Sequence, residues 1–143
     1  MAGTYYSMGF AVSLDGHRVL LLEKNRPSFL AGQWMGVAGH IEPGETPLEA
    51  VRREAEEESG LRVNDWIELG MVRGQVNPDD QIFMFAARTD LSVARTLTDE
   101  RVAVFAWDEV EALPLGLAVQ EIMDRLRAFA AESSTPRPRG LRS

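Results

Sequence analysis

Three features of the chain predict an α/β fold in which helices pack against a mixed β-sheet. Apolar runs of strand length recur at residues 5–14, 18–23 and 82–87. A short helix with clear start and stop signals is expected at 47–59. A second, amphipathic helix is expected at 117–131, where Leu117, Val119, Ile122, Met123, Leu126 and Phe129 form a broad apolar stripe.

The first strand, Tyr5 to Leu14, leads through Asp15-Gly16, a strong two-residue turn signal, into a second strand from Arg18 to Glu23. Their apolar content predicts a mostly buried hairpin. Residues 24–36, KNRPSFLAGQWMG, read as a turn segment carrying two cations. Trp66 to Arg73 and Gln81 to Arg88 form two further strands around the turn-rich GQVNPDD, with Phe83 and Phe85 on one core-facing side. Asp79 and Asp80 tip this hairpin; a polar turn is favoured over a ligand or ribose contact. Val102 to Trp107 completes the sheet and precedes a short helix, Asp108 to Leu113. With no repeat and no second domain, residues 1–131 are expected to form one domain. Residues 132–143, polar, proline-containing and basic, are expected to be a disordered tail.

The helix at 47–59 carries the chemistry. Thr46 suits the N-cap, Pro47 the first helical position, and Glu49 completes a capping box, while Gly60 ends the helix. Leu48, Val51 and Ala55 give a docking stripe, and Glu54, Glu57 and Glu58, at i, i+3 and i+4, share a neighbouring face. Like charges at that spacing cost roughly 0.2–0.5 kcal/mol per pair. Glu42, Glu45, Glu49 and Glu56 add to the field, offset locally by Arg52 and Arg53. A divalent cation resolves the conflict, since Mg²⁺ prefers oxygen ligands and keeps several waters. A solvated acidic face is the alternative reading of such a run.

The spacing from Gly39 decides between them. GHIEPGETPLEAVRREAEEESGL resembles, position for position, the Nudix box G-x5-E-x7-R-E-U-x-E-E-x-G-U, where U is apolar. Gly39, Glu45, Arg53, Glu54, Glu57, Glu58 and Gly60 fill the fixed positions, and Ala55 and Leu61 the apolar ones. The family often has a bulkier residue at Ala55 and a Pro-Gly where this chain has Val37 and Ala38.

The resemblance implies the Nudix fold, an α/β/α sandwich around a mixed sheet. It also implies a hydrolase of a nucleoside diphosphate linked to another moiety, dependent on Mg²⁺ or Mn²⁺. Glu57 and Glu58 then become principal metal ligands, Glu54 a ligand or the base that orients water, and the Gly39 carbonyl a further ligand. Arg53 can pair with the box carboxylates, and Glu45 can orient them or simply lie beside the helix N-terminus. By the same resemblance, Glu100, just before a strand, becomes a fourth carboxylate that reaches the metals or activates water. Lys24 and Arg26 become candidates for substrate phosphates, against ordinary solvent exposure. Trp34 is a candidate for stacking on a nucleobase, against a place at the edge of the core. His40 is given no catalytic role.

The run LLLEKNRPSFLAGQWMGVAGHIEPGET resembles nucleoside triphosphate-directed Nudix enzymes, including those acting on oxidised deoxynucleotides. The expected reaction is therefore cleavage of a nucleoside or deoxynucleoside triphosphate to monophosphate and pyrophosphate. An ADP-ribose or nucleotide-sugar pyrophosphatase is the rival enzyme, and a non-catalytic nucleotide sensor the rival class.

Composition narrows the partners. A net charge of −7 argues against binding nucleic-acid polymers, which requires neutralising phosphates, but not against small nucleotides. No cysteine is present, so no disulfide forms and no nucleophilic thiol is available. MAGTYYSMGF lacks the pattern of a signal peptide and no run approaches the roughly 20 apolar residues of a membrane span. A cytoplasmic protein without membrane partners, monomeric or homodimeric, is expected.

Overall fold

The computed structural model describes residues 3–134. Its strands are β1 (Tyr5–Val12), β2 (Arg18–Glu23), β3 (Trp34–Met35), β4 (Val37–His40), β5 (Ile67–Arg73), β6 (Gln81–Arg88) and β7 (Val102–Ala106). Its helices are α1 (Pro47–Ser59), α2 (Trp107–Val110) and α3 (Leu117–Ser134).

The sheet is mixed. Strand β1 pairs along its whole length with β6 in parallel, and β6 pairs antiparallel with β5. On the other side β1 divides its edge: residues 6–9 pair with β4 and residues 11–12 with β2. Strand β2 in turn pairs with β7, and at its far end with β3. The chain from Trp34 to His40 thus leaves β2 and joins β1, filling the gap where those two strands diverge.

Alternation along the strands sends side chains to two layers. Met8, Phe10, Val12, Val19 and Leu21 meet Val119, Ile122 and Leu126 of α3 on one face. Ala11, Leu20, Val37, Phe85 and Trp66 meet Val51 and Ala55 of α1 on the other, with Phe83 packed alongside. This is the expected α/β/α sandwich.

Helix α1 occupies the expected residues because its signals are local. The Thr46 hydroxyl accepts from Glu49 N–H at 3.1 Å and Glu49 accepts from Thr46 N–H at 2.9 Å, a cap worth about 1 kcal/mol. Gly60 ends the helix at φ 80°, a left-handed conformation that disfavours a side chain.

Other boundaries differ from expectation. Strand β1 stops at Val12, since Ser13 N–H pairs with Arg18 O and the Asp15 carboxylate accepts from Ser13 Oγ and His17 N–H. The turn therefore spans five residues, 13–17, instead of two. Trp66 lies before β5, buried, with its indole donating to Val63 O at 3.0 Å. Strand β7 ends at Ala106, and α2 is the single turn Trp107–Val110 instead of Asp108 to Leu113, because the Glu109 carboxylate caps Ala106 N–H. The turn segment 24–36 contains β3, which the sequence does not announce, and β4 follows it directly. Helix α3 continues to Ser134, so residues 132–134 of the expected tail are helical, and 135–143 lie outside the described residues.

Candidate active site

Helix α1 is pinned to the β1–β4 ladder at three successive rungs, Tyr6↔His40, Ser7↔Gly39 and Met8↔Ala38. Arg53 donates to His40 O at 3.0 Å, Ser7 Oγ donates to Pro47 O at 2.7 Å, and Ala38 N–H donates to the Glu58 carboxylate at 3.0 Å. Gly39 lies at the middle rung, so close to α1 that a Cβ there would run into the Glu54 carboxylate. Any side chain at this position would displace Glu54 from its place.

Arg53 is the hub among the acids. Its Nε and Nη2 clamp Glu45 at 2.7 and 3.0 Å, while Nη1 reaches Glu54 at 2.8 Å and Glu57 at 3.4 Å. The Glu45 hydrogen bond holds the guanidinium fully charged, and the same bond pulls the Glu45 pKa below its ordinary value. Planar, multidentate pairing of this kind fixes carboxylate orientation as well as charge. Glu45 also accepts from Glu42 N–H at 2.9 Å, which ties the turn before α1 into the same network.

Glu54 and Glu58 stand differently. Burial is the main reason that both have raised pKa values, and the negative charge of Glu54 adds to the effect on Glu58, which is pushed up to about 8. The two share a hydrogen bond that favours the proton on Glu58. Glu57, by contrast, has an exposed side chain.

The second cluster joins residues 24–26 to 99–101. Glu100, only 8% exposed, accepts from Lys24 Nζ at 3.1 Å and from Asn25 N–H at 2.9 Å. Asn25 also donates to Asp99 O at 2.9 Å, and Arg26 makes a two-pronged pair with Asp99 at 2.9 and 3.3 Å. The Lys24 charge is near enough to lower the Glu58 pKa slightly against the stronger upward effects, which links the two clusters.

The predicted site residues therefore fall into three groups. Gly39, Glu45, Arg53, Glu54, Glu57 and Glu58 come together around α1. Lys24, Arg26 and Glu100 come together in the second cluster. Trp34 goes to the core: it is 5% exposed, edge-on to Phe105 at 4.9 Å, with Arg101 stacked over it at 5.1 Å. Its ring faces are thus occupied by protein, for the physical reason that β3 is an inner segment between β2 and the Leu115 bridge. Asp80 accepts from Thr4 N–H at 2.8 Å and serves the turn. Asn25, Asp99 and the Ala38 N–H were not foreseen; each acts through a partner distant in sequence.

The donor set suits a hard divalent cation, since it gathers three carboxylates on one helix, two of them with pKa values raised by burial. Among the described residues no three acidic or imidazole side chains already form a metal cage. In this arrangement Arg53 occupies Glu54 and Glu57.

An acidic helix docked on a mixed sheet, with a glycine held against its carboxylates, is the arrangement to which the comparisons also lead. The chain matches the NUDIX domain over residues 6–129 and belongs to that family. It is 31% identical to Nudix hydrolase 19, chloroplastic, of Arabidopsis thaliana over 85% of its own length and 28% of that protein's. It is also 31% identical to human 8-oxo-dGDP phosphatase NUDT18, over 79% of this chain and 35% of that one. The chain thus spans about a third of the curated relatives it matches. A MutT NUDIX hydrolase from Burkholderia pseudomallei shares the fold, with a TM-score of 0.76 at 24% identity over 87% of this chain and 98% of that one. No described helix is long and apolar enough to cross a membrane.

Proposed function

We propose that the chain is a divalent-metal-dependent pyrophosphohydrolase that splits a nucleoside or deoxynucleoside triphosphate into monophosphate and pyrophosphate, oxidised nucleotides included. The observation that carries this reading is the pair Glu54, set against Gly39, and Glu58, held by Ala38 N–H, two buried carboxylates that share a hydrogen bond and have raised pKa values that a cation would relieve. Glu54, Glu57, Glu58 and the Gly39 carbonyl would hold it, and Mg²⁺ or Mn²⁺ there would supply charge neutralisation for phosphate oxygens and a lowered pKa for water.

The reaction is substitution at phosphorus. A water oxygen forms the new P–O bond, the bond to the pyrophosphate leaving group breaks, and a carboxylate accepts the water proton. Glu54 and Glu100 are the two candidates for that base. Arg53 holds Glu54 and Glu57 in orientation, and Lys24 and Arg26, which pair with Glu100 and Asp99 in the free protein, would turn to substrate phosphates. The likeness to an 8-oxo-dGDP phosphatase supports a nucleotide substrate with a phosphoanhydride bond.

The test is a panel of nucleoside triphosphates, 8-oxo-dGTP, ADP-ribose, nucleotide sugars and dinucleoside polyphosphates, incubated with Mg²⁺ and analysed for products. Pyrophosphate with a nucleoside monophosphate is expected. Preferential cleavage of ADP-ribose or a nucleotide sugar to a sugar phosphate would replace this substrate class. Nucleotide binding without turnover would make the chain a sensor.

A further inference from the structure

The three pins between α1 and the β1–β4 ladder are unequal in origin. Two come from box residues, Arg53 and Glu58, while the third comes from Ser7, thirty-two residues before Gly39 and outside the box. Ser7 is fully buried, yet its hydroxyl is not spent within its own strand; it crosses to the first residue of α1 and donates to Pro47 O at 2.7 Å. The same residue pairs through its backbone register with Gly39. One residue therefore ties the start of the acidic helix, through its side chain, to the strand that carries Gly39, through its backbone.

The consequence is geometric. The Arg53 and Glu58 pins lie in the middle and last turns of α1, and both use the side chains that must also serve the site. Ser7 holds the N-terminal end without engaging any carboxylate. A helix fixed at both ends presents Glu54, Glu57 and Glu58 at one height along the ladder, whereas a helix fixed only by Arg53 and Glu58 can tilt when those side chains turn toward a ligand. A buried hydroxyl also loses its hydrogen-bond partner if α1 shifts, so the tie resists displacement.

We infer that Ser7 is a positioning residue for the metal site: its hydroxyl sets the seat of α1 and, through it, the placement of the box carboxylates beside Gly39. The inference rests on the metal-dependent reading above. Groups that orient metal ligands typically change affinity by about 10–100-fold when removed, and Ser7 is expected at the lower end because it acts through a helix.

The test is Mn²⁺ binding followed by the electron paramagnetic resonance signal of the free ion. Ser7→Ala is expected to bind Mn²⁺ about 10-fold more weakly than wild type, and Ser7→Thr, which keeps the hydroxyl, to return within about 2-fold of it. Ile122→Val, on the opposite face of the sheet, is expected to lower Tm while leaving Mn²⁺ affinity unchanged. Wild-type affinity in Ser7→Ala, a threonine variant as weak as the alanine one, or an equal loss in Ile122→Val would overturn the inference. A wild-type protein that binds no Mn²⁺ would overturn the metal-dependent reading and this inference with it.

Discussion

The two acidic clusters of the molecule are built by opposite means. Around α1, the carboxylates are held by partners 1–20 residues away: Arg53 to Glu54, Glu57, Glu45 and His40, and Ala38 to Glu58. Between residues 24–26 and 99–101 every tie spans 73–76 residues. In the first cluster positive charge is scarce, and burial leaves Glu54 and Glu58 with raised pKa values. In the second, Lys24 already compensates Glu100, and Arg26 lowers the Asp99 pKa mainly through their hydrogen bond. The first would gain from an added cation; in the second the charges are already paired and tie two loops together as a clasp.

The largest difference is expected in catalysis. Glu58→Gln keeps the shape and removes the charge, so kcat should fall about 10³-fold, the several kcal/mol that a bound metal contributes. The same variant should be at least as stable as wild type at pH 8 without metal, because it removes a carboxylate that burial disfavours. Activity near wild type in Glu58→Gln would erase the distinction between the clusters.

Lys24→Ala should act on folding first. It strands Glu100, buried and then held only by Asn25 N–H, at a cost of about 2 kcal/mol in a denaturant titration. No loss of stability would mean that the clasp is not a structural pair.

The pH dependence follows from the sign of the Glu58 shift. Its pKa rises from an ordinary 4.5 to about 8 in the folded, metal-free protein, so the folded state holds the proton more tightly than the unfolded chain. The stability that this proton linkage provides is present below about pH 4.5 and is lost as pH rises through about 8. Thermal melts in EDTA should show Glu58 pulling Tm down across that window, and Glu58→Gln should flatten the slope. The Tm gained on adding Mg²⁺ should grow over the same range, since the metal competes with the proton.

The smallest effect on stability is expected at Arg26→Ala. Its pair with Asp99 is largely exposed, and such pairs contribute little. Tm should not change measurably, while KM for a nucleotide should rise several-fold if Arg26 meets substrate phosphates; a clear drop in Tm would instead assign it to the clasp.

The same contrast explains what the sequence reveals. Helix α1 is legible to the residue because Thr46, Pro47, Glu49 and Gly60 are local signals, and the pairing of Arg53 with Glu57 follows from one helical turn. Strand β3 is not legible, because two residues become a strand only by lying against Leu22 and Glu23. Neither is the burial of Trp34, which depends on Phe105 and Arg101 arriving from β7 and the residue before it. Glu100 stands out by its position before a strand, but its partners Lys24 and Asn25 carry no local mark of it. Local rules expose the box; long-range pairing hides the clasp.

If the α1 carboxylates work through a divalent cation to split a nucleoside triphosphate into monophosphate and pyrophosphate, phosphorus NMR of the full chain, first in EDTA and then in excess Mg²⁺, should show it. No turnover is expected in EDTA and, with Mg²⁺, pyrophosphate and nucleoside monophosphate should grow together. Turnover undiminished in EDTA, or release of orthophosphate and nucleoside diphosphate instead, would contradict it.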